Sequence, residues 1–513
     1  MKSSHLAFKN RFMCIFVLFL VIFLSVYAGS VGADSHGKTV KVVLSEEPDN
    51  VESCNSCRSA VGRVVLKNIV EPLTEINPND GSLVPRLATS WKQIDPTTWQ
   101  MTLRKGVKFH DGADFNAEAV KYSINRLMDK SVECEVRFKF LEHLTMTPTV
   151  VDSHTVNIKT SVPEPIFPTL MGTVTITSPN TPMGKWSRHP VGTGPYKFVK
   201  WDAGKEIVLE RFDGYWGEKP QVEKAVYVWR SESAVRAAMV KTGEADIAPN
   251  LAVQDANDPK MDTSYFNSET SRLRIDTTTP PTSDRRVRQA LNYAIDRDAI
   301  RGSVLSKDVV AATQLVTPAI NGYNPELKVW PYDPEKAKKL IAEARKDGVP
   351  VDKELLMVGR VGIYPNATEV MEVALSMYQE IGLNVKLKMF EVGVWNNYFT
   401  KPFPKEPAAI QQGQHDNNNG DPIFTVFNKY ACEGGQSNTC NKDLDALVAK
   451  AQIATGAERT KLWQQVFKMV NDDIISDVPL FHMVGYTRVG KRINFQPSIA
   501  TNSELQIAQI TFK

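Results

Sequence analysis

The sequence predicts an α/β fold spread over two or three domains. Three observations carry this expectation. Short apolar runs of strand type interleave with amphipathic helical runs, without a strict βαβ rhythm. About 480 of the 513 residues remain once a leader is set aside, more than one hydrophobic core usually serves. Two passages rich in turn-forming residues, at 178–198 and 277–284, punctuate the chain.

The leader comes first. Lys2, Lys9 and Arg11 make a basic start, residues 12–33 carry no charge, and Val31-Gly32-Ala33 offers small residues where a signal peptidase cuts. Residues 1–33 therefore read as a secretory signal peptide, with a retained membrane anchor as the competing reading. Cys14 sits early in the apolar run and no lipid-attachment site follows it. Past the leader no apolar run reaches 18 residues, so no further spanning helix is expected. The leader holds three bases and no acid, so 61 Lys and Arg against 58 Asp and Glu become 58 against 58. A neutral chain argues against nucleic acid as a partner, because that usually demands a basic face.

The elements follow in order. TVKVVL at 39–44 reads as a strand, and 64–69 as a helix. Trp99, Met101 and Leu103 alternate before Lys105-Gly106, and Val107 and Phe109 resume, which predicts a hairpin. Asn116 can cap a helix with Val120, Ile124, Leu127 and Met128 on one face. Residues 150–158, 207–212 and 225–230 read as strands, and 234–242 as a short helix. Ser283 or Asp284 can cap a helix over 285–300 with Val287, Leu291, Ala294 and Ile295 inward. Further helices are expected at 334–344, 367–380, 444–452 and 458–471, and a strand at 384–390.

Five cysteines follow the leader. Cys432 and Cys440 flank the flexible EGGQSNT and suit a disulfide in an oxidising compartment. A second disulfide is expected among Cys54, Cys57 and Cys134, leaving one thiol over. No metal and no cofactor are expected. His110-Asp111 and His415-Asp416 hint at a metal, but the eight histidines are scattered, whereas borderline metals want several nitrogen or sulfur ligands together. GTGPYKF lacks the rest of a phosphate loop, and GxSxG and HExxH motifs are absent, so neither nucleotide binding nor a hydrolase is favoured.

Several segments fit one family in collinear order. They are EPLTEINPNDGSLVPRLATSW, WQMTLRKGVKFHDGADFNAEAVKYSINR, VGTGPYKFVKW, DRRVRQALNYAIDRDAI and CNKDLDALV. Over essentially the whole chain past the leader, this resembles extracytoplasmic solute-binding protein family 5, the peptide/nickel group of ABC-transporter substrate-binding proteins. The resemblance implies a two-lobed "Venus flytrap" of the large periplasmic type, with an extra α/β subdomain on the first lobe. Lobe I would comprise 34–66, 191–275 and 490–513, the subdomain 67–190, and lobe II 276–489. The crossings would lie near 272–280 and 485–492. The implied protein is a periplasmic monomer and not an enzyme. It would close about a hinge over a small peptide or peptide-like solute and deliver it to the permease subunits of an importer. A metal chelate such as nickel, an oligosaccharide or another carboxylated molecule is the alternative cargo.

The resemblance also implies a site. In the dipeptide-binding branch an arginine pairs with the peptide carboxylate, and an aspartate in a D-N-G-D-P loop pairs with the ammonium. Arg360, in GRVGIYPNA, falls near that arginine, in a segment one residue longer. Trp395 and Tyr398 keep a W-x-x-Y pair able to pack on apolar parts of a ligand, or simply in the core. QGQHDNNNGDPIF at 412–424 carries Asn418 in place of the ammonium-binding aspartate. Asn418 offers a dipole without charge, and Asp416 is its nearest substitute. Asp416, Asn418 and Asn419 are expected to face the solute, Gly420 and Pro422 to shape the turn, and Asp421 to hold it. The alternative is a plain polar turn.

Overall fold

TVKVVL forms the expected strand, Thr39–Leu44 (β1), because Val40, Val42, Val43 and Leu44 all find apolar partners on burial. The structure, a computed structural model, describes residues 37–54, 60–77, 82–141, 143–417, 420–500 and 505–513. The leader, Cys57, Asn418 and Asn419 lie outside those residues. Val40–Lys513 forms one compact unit.

After β1 comes a helix at Ala60–Leu66 (α1), earlier than the predicted 64–69. A four-stranded antiparallel sheet follows, built from Ala88–Asp95 (β2), Thr98–Leu103 (β3), Met146–Asp152 (β4) and Thr155–Thr160 (β5), in the order β2-β3-β5-β4. Here the structure corrects two expectations. β3 does not pair with 107–109. It lies between β2 and β5, with Trp91 opposite Met101 and Trp99 opposite Ile158, because two full-length edges outcompete a three-residue one. Residues 150–158 are two strands, since Asp152 accepts the His154 N–H at 2.7 Å and turns the chain. Ala117–Met128 (α2) is capped by Asn116 as expected, and Glu135–Phe140 (α3) begins at Cys134.

The main sheet has eleven strands. Its members are β1, Tyr196–Asp202 (β6), Glu206–Arg211 (β7), Lys224–Trp229 (β8), Ile247–Ala248 (β9), Asp262–Ile275 (β10), Val310–Ala311 (β11), Leu355–Arg360 (β12), Val385–Phe390 (β13), Ile410–Asp416 (β14) and Asp477–Val489 (β15). Their order is β6-β7-β8-β1-β9-β15-β10-β14-β12-β13, with β11 paired to β15. β10 and β15, of 14 and 13 residues, run antiparallel and carry the sheet from its first strands to its last. Their register shifts between Phe266 and Thr270.

Asp284 caps Arg285–Tyr293 (α4), accepting from Arg286 N at 2.8 Å. The predicted helix over 285–300 breaks there. Asp296 starts a new turn, Arg297–Ile300, by accepting from Ala299 N, as a helix-capping aspartate prefers. Val287, Leu291, Ala294 and Ile295 are all buried. Ala367–Glu380 (α5), Val392–Phe399 (α6), Ile423–Tyr430 (α7) and Gly456–Lys468 (α8) complete the helices that matter for the site.

One hydrophobic cluster joins the four-stranded sheet to the later helices: Met101, Phe109, Ile158 and Phe140 share it with Phe424, Tyr430 and Trp463. Phe140 meets Phe424 edge-on at 5.5 Å, which seats α3 against α7. Among the described residues two disulfides are present. Cys432–Cys440 is the one expected from its spacer, and Cys54–Cys134 is the second.

Candidate functional site

β12 ends at Arg360 beside β14, and this corner supports a cavity of about 130 Å³. Its wall draws on the end of β1 (Ser45, Glu46), on α1 (Val61, Arg63), on α3 (Glu135, Lys139), and on Trp395, His415, Asp416 and Lys429. Residues far apart in sequence thus converge on one space.

Arg360 is buried at 7 % exposure. Its backbone N donates to Gln412 Oε1 at 3.0 Å, and its guanidinium lies 5.9 Å from the Trp395 ring centre. Trp395 Nε1 donates to the Gln412 carbonyl at 3.2 Å, and the indole stacks on Phe399 at 4.2 Å. Gln412 therefore ties the arginine and the indole to one strand. Arg360 Nη2 donates to Glu46 Oε1 at 2.7 Å. Burial raises the Glu46 pKa above the usual carboxylate value, and attraction to Arg360 only partly offsets this.

Asp416 forms an ion pair with Arg63 of α1 and accepts from Ser268 Oγ at 3.4 Å. Beside it, His415 is buried and its pKa is driven well below the ordinary value, first by burial and then by Lys429, Lys139, Arg272 and Arg63. It is a neutral imidazole at pH 7. Among the described residues no group of three His, Cys, Asp or Glu could hold a metal ion.

The structure brings Arg360, Trp395 and Asp416 to the cavity wall and sets two other expected residues elsewhere. Tyr398 stacks flat on Phe390 at 5.6 Å and offers its carbonyl to Arg274; it packs in a small apolar cluster and does not line the cavity. Asp421 is held on both oxygens by Arg459, each at 2.8 Å, and accepts the Ile423 N–H at 3.0 Å. It anchors the start of α7 and is also absent from the lining. The turn is made as expected by Gly420, at φ 72°, a conformation that favours glycine. Asn417 donates to the Ser268 carbonyl at 2.8 Å, pinning the loop to β10.

Sequence reasoning missed Glu46, Arg63, Lys139, Glu269 and Lys429. Arg63 had a signal, being a lone base inside the apolar AVGRVVL. Lys429, in the last turn of α7, reads like an ordinary solvated helix-end lysine.

The profile of the bacterial extracellular solute-binding proteins, family 5 (Middle), matches residues 82–436. The dipeptide-binding protein of Escherichia coli (strain K12) is 28% identical over 490 residues, 88% of this chain and 90% of that one. The glutathione-binding protein GsiB of Salmonella choleraesuis (strain SC-B67) is 30% identical over 311 residues, 58% of this chain and 59% of that one. Among solved structures, a dipeptide-binding protein from Pseudoalteromonas sp. SM9913 in complex with Met-Leu superposes with a TM-score of 0.82 at 22% identity. That match covers 93% of this chain and 100% of the other. The fold is accordingly the two-lobed, mixed α/β fold of periplasmic binding proteins.

Proposed function

We propose, from the premise that the chain belongs to the bacterial extracellular solute-binding proteins of family 5, that it captures a small, carboxylate-bearing peptide or peptide-like solute for an ABC importer. One observation carries this. Arg360, buried against Trp395, already holds a carboxylate, that of Glu46, at the wall of a cavity. A guanidinium so placed suits a solute carboxylate equally well. A space of about 130 Å³ favours a small solute over a long peptide. The relatives named for dipeptides and glutathione support the same class.

Capture would proceed by closure of two lobes without covalent chemistry. β10 and β15 are the natural crossings, and the lobes are read as 34–66 with 191–275 and 490–513, and 276–489. Delivery would be to permease subunits in the membrane, after export by the leader. The protein would act in the periplasm as a monomer.

Native mass spectrometry of gently purified protein tests the reading. A released mass belonging to a carboxylate-bearing peptide or amino-acid derivative is expected, and that compound at 100 times its Kd should stabilise the fold by about 2.7 kcal/mol. A released sugar or metal chelate, or no stabilisation by any carboxylated compound, would overturn it.

A further inference from the structure

The cavity is lined by four acids, Glu46, Glu135, Glu269 and Asp416, and by four bases, Arg63, Lys139, Arg360 and Lys429. Arg360 takes Glu46, and Arg63 takes Asp416. Glu269 accepts from the side-chain amides of Gln414 and Asn267. The two lysines are left over. Among the described residues, no carboxylate comes within ion-pair range of Lys429 or Lys139.

Lys429 is only 3 % exposed. Its Nζ donates to Gln436 Oε1 at 2.7 Å and faces the Phe399 ring at 5.5 Å. Behind it lie Arg272 and Arg274, and the nearby Asp477 is already taken by Arg272 and Tyr430. Burial first, then Arg272, Lys139 and Arg274, push the Lys429 pKa well below the lysine range, with Asp477 only partly opposing them. An ammonium buried without a counter-ion is costly, and an anion entering beside it removes that cost. The contacts of its ammonium given above are a neutral amide oxygen and a ring face, and neither supplies a counter-charge.

From this arrangement we infer that the solute carries a second anionic group, a carboxylate or similar oxyanion, and that Lys429 with Lys139 binds it. The inference rests on the assignment of the first carboxylate to Arg360. It names the substrate class as diacidic: an acidic dipeptide or an acylated acidic amino acid. Glu135 and Glu269 line the same space, so the acid must lie on the lysine side of it.

Isothermal titration of the full chain with shape-matched pairs tests this. The probes are Ala-Glu against Ala-Gln and their N-acetyl forms. The acid should bind at least about tenfold tighter than the amide, as expected of a charge-assisted contact in a desolvated site. Lys429→Met should bring that ratio close to one. Lys139→Ala, at a half-buried position, should lower the ratio partway. Equal affinity for acid and amide in the unaltered protein, or a preference that survives Lys429→Met, overturns the inference. If acid and amide bind equally and Arg360→Ala abolishes both, the carboxylate reading stands without the second group. If neither member of any pair binds, both fall.

Discussion

Glu46→Gln separates two ways in which a solute could use Arg360. The pair is unequal: Arg360 is 8% exposed and Glu46 31%, with 2.7 Å between Nη2 and Oε1. Exposed ion pairs contribute ~0.2–1 kcal/mol and buried ones more. Glu46 is the partly exposed member, so the pair sits at the upper end of the exposed range, at ~1 kcal/mol. If a solute carboxylate replaces Glu46 on the guanidinium, the pair exists only in the unliganded protein. Removing it then tightens binding by about fivefold. If the solute binds with the pair intact, the pair stabilises the complex, and Glu46→Gln weakens binding instead. Titration calorimetry of the released native ligand, or of the tightest dipeptide probe, reads the sign. Arg360→Ala in the same assay should cost ~2–5 kcal/mol. Weaker or unchanged binding by Glu46→Gln would refute direct competition at Arg360.

Asp421→Asn breaks a buried ion pair with Arg459 and should cost about 3 kcal/mol in urea unfolding while leaving ligand Kd within twofold; a large change in Kd at unchanged stability would return Asp421 to the binding site. The Cys54–Cys134 bond closes 80 residues and Cys432–Cys440 only 8, so chain entropy predicts losses of about 4.5 and about 2.5 kcal/mol on replacing each pair by serine. Equal losses in denaturant titrations would contradict that ordering. Burial holds His110 and His482 down to about 4, whereas an unfolded histidine titrates near ~6.5. The unfolded chain therefore takes up protons first as pH falls. The stabilisation is complete above ~6.5 and lost progressively down to about 4, by roughly 3 kcal/mol for each residue. Urea midpoints from pH 7 to 4.5 should fall accordingly. His482→Gln should flatten that slope, and an unaltered slope would remove His482 from the account.

The local signals in the sequence served well where one segment decides its own shape. Asn116 and Asp284 cap the helices they were expected to cap, and the inward stripe of Val287, Leu291, Ala294 and Ile295 is buried. They failed where partners from elsewhere decide. Strand β3 chose β2 and β5 over its own neighbour because distant edges offered longer pairing. Arg360 and Trp395 could be placed from the family pattern, yet Glu46 sits 314 positions from Arg360 and no periodicity encodes their meeting. Tyr398 lies next to the wall residue Phe399 in sequence, but helix geometry turns it away, and Asp421 is drawn off the wall by Arg459. Lys429 was invisible because its burial comes from residues distant in the helix pattern, such as Phe399 and Gln436, which pack around the end of α7.

The Cys54–Cys134 bond also fastens part of the cavity wall. Cys134 immediately precedes α3, whose Glu135 and Lys139 form one wall, while Cys54 follows the loop that carries Glu46 to the opposite one. Without that bond, the α3 wall is held by non-covalent contacts alone, such as Phe140 on Phe424. A reduced protein is therefore expected to hold α3, and with it Glu135 and Lys139, less firmly than the oxidised one.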